Sequence, residues 1–166
     1  MPTVTQYEGD VIIRGALQVT GAATLGDGSI LNAQVGAAAG ITAAKLEHQH
    51  RPMYAQANAA AADETKVVHT VIGATGTIKS FKAGSIAVAI GDAKATVDLK
   101  KNGVSVLSPV ITLDSDNEAR VVEAGTLSDT TLAVGDVLEV VVDGTIGTGT
   151  LPTGVFACVD LYEDAD

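Results

Sequence analysis

The chain has 166 residues, a formal net charge of −10 from ten Lys plus Arg against twenty Asp plus Glu, 3% aromatic residues without Trp, and a single Cys. That balance excludes a protein that coats nucleic acid, because phosphate binding needs clustered basic side chains and the densest basic pair is only Lys100-Lys101. It also excludes an intramolecular disulfide and argues against aromatic platforms for sugars or bases.

The N-terminal MPTVTQYEGD has neither the basic nor the apolar region of a secretory signal, and no run of eighteen apolar residues occurs. The expectation is a soluble product made in a cytoplasm. From Gly9 onward glycine returns every six residues, at Gly9, Gly15 and Gly21, dividing the chain into GDVIIR, GALQVT and GAATLG. The third positions are Val11, Leu17 and Ala23; the fifth are Ile13, Val19 and Leu25. Third and fifth positions share one side of an extended strand, since side chains alternate faces. Residues 1–40 are therefore predicted as short strands broken by glycine turns.

Hexapeptide rhythm is the pattern of parallel β-helices, which need about three strands per rung and three rungs for stability. Thirty-odd residues supply about two rungs. A β-helical reading therefore requires several chains to share one core, for instance three intertwined about a three-fold axis. The alternative is a string of hairpins capping the next domain.

Residues 41–64 are predicted as a connector. Thr42 caps a short helix over residues 43–50, and Pro52 follows its end. Ile41 and Leu46 pack inward with Met53 and Tyr54. His48 and His50, in EHQH, are the candidate metal ligands. On a strand the two rings would share a face, but at the end of a helix positions i and i+2 point apart. Packing or hydrogen bonding of these rings at an interface is the preferred reading, and no metal or cofactor is assigned.

Residues 65–166 are predicted as an antiparallel β-sandwich of the jelly-roll kind. Strands are expected over Lys66–Ile72, Gly76–Phe81, Ser85–Ile90, Lys94–Lys100, Val104–Leu107, Ala119–Ala124, Asp136–Gly144 and Gly154–Asp164. Ile86, Val88 and Ile90 are expected on one face of their strand. Ala95, Val97 and Leu99 face inward, with Thr96, Asp98 and Lys100 outward. Asn102-Gly103 is the strongest hairpin signal in the chain. LDSDNE (Leu113 to Glu118) reads as a solvated turn, because neither Gly nor Glu follows at calcium-loop spacing. GATGTIKS lacks phosphate-loop spacing, and GTIGTGTLPTG reads as a flexible hairpin loop. Glu163, Asp164 and Asp166 are assigned to a soluble tail, and Cys158 is a small apolar residue in a strand. His69 stands by itself in the first sandwich strand. No GxSxG, HExxH or CxxC spacing occurs, so no catalytic set is assigned.

GALQVTGAATLGDGSI, the connector ITAAKLEHQHRPMYAQ, and VVHTVIGATGTIKSF, ATVDLKKNGVSVLSPVITLD and GTGTLPTGVFACVDLYED together resemble tailed-bacteriophage head-decoration proteins, also called cement or head-fibre proteins. The resemblance implies a structural, non-enzymatic homotrimer on the outer capsid surface that bridges major capsid subunits, with neither nucleic acid nor membrane as partner. In that setting Val11, Ile13, Leu17, Val19 and Leu25 form the trimer core, Ile41 and Leu46 seal its lower end, and residues 1–10 are the leading capsid contact. A tail fibre, spike or host-receptor-binding protein is the alternative reading.

Overall fold

The computed structural model describes residues 48–164, and in that span every regular element is a β-strand. The strands are β1 (His48–His50), β2 (Met53–Ala55), β3 (Glu64–Thr70), β4 (Gly76–Ala87), β5 (Ile90–Gly91), β6 (Lys94–Lys101), β7 (Val104–Ser105), β8 (Ile111–Leu113), β9 (Val122–Ala124), β10 (Thr131–Leu132), β11 (Val137–Thr145), β12 (Gly149–Thr150) and β13 (Thr153–Glu163). One sheet is built on the β13–β4 pair. β1 and β2 lie along the free side of β13, and β10 and β9 along the free side of β4. The other runs β3–β11–β6, with β7 and β8 on the far side of β6. All the pairings are antiparallel.

Alternation decides which side chains enter the core. Along β13 the buried series is Val155, Ala157, Val159 and Leu161; on β6 it is Ala95, Val97 and Leu99; on β11 it is Leu138, Val140 and Val142. These residues join Ile78, Phe81 and Ala83 of β4 in one apolar cluster that takes residues from both sheets, which makes the domain sandwich-like. Tyr54 and Phe81 are its two aromatic rings.

The Asn102-Gly103 turn has φ of 52° and 80° at its two central residues. This is the left-handed pair that matches a two-residue turn to the twist of its strands. Asn102 is fixed further: its Nδ2 donates to Asp136 Oδ1 at 2.7 Å and its Oδ1 accepts from the Val137 amide at 2.9 Å.

Several expectations are corrected. The helix over residues 43–50 does not exist at its last three positions, because His48–His50 pairs with Leu161–Glu163 as a strand; residues 43–47 lie outside the described residues. Gly76–Phe81 and Ser85–Ile90 are not two strands. β4 runs unbroken from Gly76 to Ala87 because β13 supplies partners along almost all of it. Beyond Ala87 the chain leaves the sheet, so Ile90 is 65% exposed rather than packed inward. Asp98 is buried although outward alternation was expected to expose it, and it accepts a 2.7 Å bond from Ser105 Oγ. The GTIGTGTLPTG segment contains β12, which pairs with β5, and Thr148 Oγ1 donates to Asp92 Oδ1 at 2.7 Å. The LDSDNE turn is closed locally, with the Asp116 amide donating to Asp114 Oδ1 at 3.0 Å and Asn117 Nδ2 to Glu123 Oε1 at 3.1 Å.

Gly84 marks a tight backbone approach in the interior of β4. A Cβ there would meet Val121 O at 2.5 Å and Phe156 Cζ at 2.9 Å. Gly84→Ala is therefore expected to destabilise the domain by roughly 1–3 kcal/mol through overpacking, read as a lowered urea midpoint with an unchanged slope.

Candidate functional site

β1 and β2 border the first sheet along β13, and β3 borders the second along β11. Two polar bridges join these borders. The inner bridge starts from β13, whose alternation places Glu163 on the same inward side as Val159 and Leu161; Glu163 is 6% exposed. His69 Nε2 lies 2.8 Å from Glu163 Oε1. His50 Nε2 lies 3.9 Å from Glu163 Oε2, is itself buried, and has no hydrogen-bond partner. The rings of His50 and His69 are 5.2 Å apart and tilted by 40°, and His48 meets His50 edge-on at 6.5 Å.

The second bridge is Tyr54 of β2, whose buried hydroxyl donates to Glu64 Oε2 of β3 at 2.7 Å. Burial, then the bond to Glu64 and the carboxylate's charge, hold this phenol neutral well above the ordinary tyrosine range. On the opposite face of β1, Gln49 Nε2 donates to Asp160 Oδ1 at 2.9 Å and Arg51 Nε reaches the same oxygen at 3.4 Å. Strand alternation thus sorts β1 into two faces, one directed to Glu163 and one to Asp160.

Elsewhere, Lys101 of β6 pairs with Asp129 and also donates to Thr131 O, at the start of β10, at 2.9 Å. The Lys101 ammonium, followed by the Thr131 amide and hydroxyl, holds the Asp129 carboxyl at about 2. The surface of the described residues includes two shallow depressions. One, of about 160 Å³, lies between residues 109–112 and 123–126; the other, of about 280 Å³, is lined by five alanines, Gln56 and Glu64.

The two histidines singled out in the sequence are thus brought together on one strand face, with His69 and Glu163 added to them. Among the described residues no group of three His, Cys, Asp or Glu side chains is arranged to hold a metal ion. Glu163 does not belong to a soluble tail, while the next residue, Asp164, is exposed and accepts from Thr75 Oγ1 at 2.7 Å. The sequence signal for this is the alternation Val155, Ala157, Val159, Leu161, which continues one step further to Glu163. His69 gave no comparable signal, because its partner stands 94 residues away. Val11, Ile13, Leu17, Val19, Leu25, Ile41 and Leu46 all lie outside the described residues. Cys158 is half-buried in β13 as a free thiol. No helix among the described residues is long and apolar enough to cross a membrane.

The sequence matches no protein-family model and no curated protein.

Tyr54→Phe deletes a buried donor and leaves Glu64 without it, so a loss of about 1 kcal/mol is expected in equilibrium denaturation. Asp129 is depressed in the folded state, so its contribution is present above the ordinary carboxylate range near 4 and disappears as pH falls toward 2. Asp129→Asn is expected to remove that part of the acid sensitivity, measured as a flatter dependence of urea midpoint on pH between about 4 and 2.

Proposed function

We propose that this chain is a structural virion protein, a homotrimeric decoration or cement protein that binds the outer surface of a bacteriophage head and bridges major capsid subunits. The observation that carries the reading is the six-residue glycine rhythm at Gly9, Gly15 and Gly21. Its apolar positions have too few rungs to bury their own side chains and need sister chains to do so. Three N-terminal segments wound together as a β-helical stalk would present three copies of one binding surface, and multivalency turns weak single contacts into firm attachment. Val11, Ile13, Leu17, Val19 and Leu25 are the proposed shared core, with Ile41 and Leu46 at its end.

The sandwich supports the same reading. With the separate β5–β12 pair set aside, and β1 and β2, β7 and β8, and β9 and β10 each counted as one broken strand, eight strands remain. Numbered along the chain, they lie in the order 1-8-3-6 in one sheet and 2-7-4-5 in the other. This is the connectivity of a jelly roll, a fold used by viral capsid and lectin domains. The role is mechanical rather than enzymatic, and the acidic composition keeps copies from aggregating at high density on a shell.

Light scattering of the full chain is expected to give three times the 16.7 kDa chain mass. Leu17→Asp is expected to reduce this to the mass of one chain while leaving the far-ultraviolet β signal of the sandwich. A full-length chain that is monomeric in dilute solution would overturn the shared core. Antibody labelling of virions is expected on the head; labelling confined to the tail would replace the capsid reading with that of a fibre or spike.

A further inference from the structure

We infer that His50, His69 and Glu163 form a proton-operated latch that holds β1, and with it the point where residues 1–47 join the sandwich, against β13 and β3. Glu163 is a buried carboxylate in contact with two imidazoles, one near each oxygen. Oε1 is bonded to His69 Nε2 at 2.8 Å, whereas Oε2 has His50 Nε2 at 3.9 Å, outside hydrogen-bond range. That nitrogen is withdrawn from solvent and has no partner. A buried polar atom of this kind requires an explanation. Here it faces an anion at a distance that a modest side-chain rotation would close.

Protonating the cluster changes its bonding in a definite direction. With both rings neutral and the carboxylate ionised, Glu163 keeps one neutral donor and a charge that burial disfavours. A proton added to the ring of His50 or His69 places a cation beside that charge. On His50 it also guarantees an N–H donor at Nε2, so the 3.9 Å gap can become a charge-assisted bond. The 5.2 Å separation of the two rings makes a second cation in the cluster repulsive, so the latch responds to one proton.

His48 of β1, which stands opposite Glu163 in register and meets the His50 ring edge-on, is the further titratable group of the cluster. The residues paired with Glu163 and His69 on β4 and β11, Gly76 and Leu138, carry no charge. Arg51 is committed to Asp160 on the opposite face of β1. Among the described residues β1 pairs with β13 at three positions, and the Glu163 contact lies at one end of them.

One proton shared among the rings and the carboxylate engages the latch; its loss from the rings, or a further proton on Glu163, removes the charge-assisted bond.

Hydrogen exchange of the full chain, corrected for the intrinsic pH dependence of exchange, tests this at about pH 8 and about pH 5.5. Protection of the β1 amides is expected to rise roughly ten- to a hundredfold on acidification, the range of one hydrogen bond to a charged group. Protection of β6 and β11 is expected to stay constant and serves as the folding control. Both Glu163→Gln and His50→Phe are expected to abolish the rise. If Glu163→Gln loses protection in β6 and β11, His50→Phe carries the test, because the His50 side chain is 39% exposed and tolerates replacement. A flat β1 response in the unaltered chain, or a rise that survives in a folded His50→Phe variant, would overturn the latch.

Discussion

Strict alternation along β13 is the constraint on which the described domain depends. This eleven-residue strand sits between β4 on one side and β1 and β2 on the other, and each of its odd positions from Val155 to Glu163 is buried. Four of those five are apolar and form part of the core. The fifth is a carboxylate, and a buried charge must be partnered or neutralised. The residues that approach it come from both sheets, so the end of one strand determines how β1 and β3 meet.

The same division of labour recurs around the sandwich. Apolar burial fills the interior, where it is non-directional and proportional to area. Directional polar contacts stand at the rims, where water competes and geometry has to be specified: Tyr54 to Glu64, His69 to Glu163, and Lys101 to Asp129 and Thr131. Each joins a strand or strand end of one sheet to one of the other. Apart from Val67 in the middle of β3, the exposed large apolar residues among the described ones fall in loops or at strand ends, such as Ile72 after β3, Val104 at the β6–β7 hairpin and Val134 before β11.

The strongest local signals translated directly into structure. KATVDLK became β6 with Ala95, Val97 and Leu99 inward, and Asn102-Gly103 became a turn with two positive φ values, because period-two patterning and left-handed turn residues act within a few positions. Two- and three-residue strands such as β2, β8, β10 and β12 carry no signal of their own in the sequence. They are too short to display a period, and their backbone is extended only because a partner strand lies beside it. Local capping signals favour a helix end at the HQH segment, whereas pairing with β13, more than a hundred residues later, makes it a strand. That reversal matters for the site, since it puts His48 and His50 on one face rather than on diverging ones.

The amino-acid sequence by itself determined the all-β character of the described domain, its principal strands and its hairpin turn, for these follow from alternation and from residues that tolerate left-handed backbone. Only the tertiary structure decided the order of strands in the two sheets, the continuity of β4 and the company of Glu163. Those depend on which distant segments share a sheet, and the free energy of that choice resides in contacts between residues far apart in the chain.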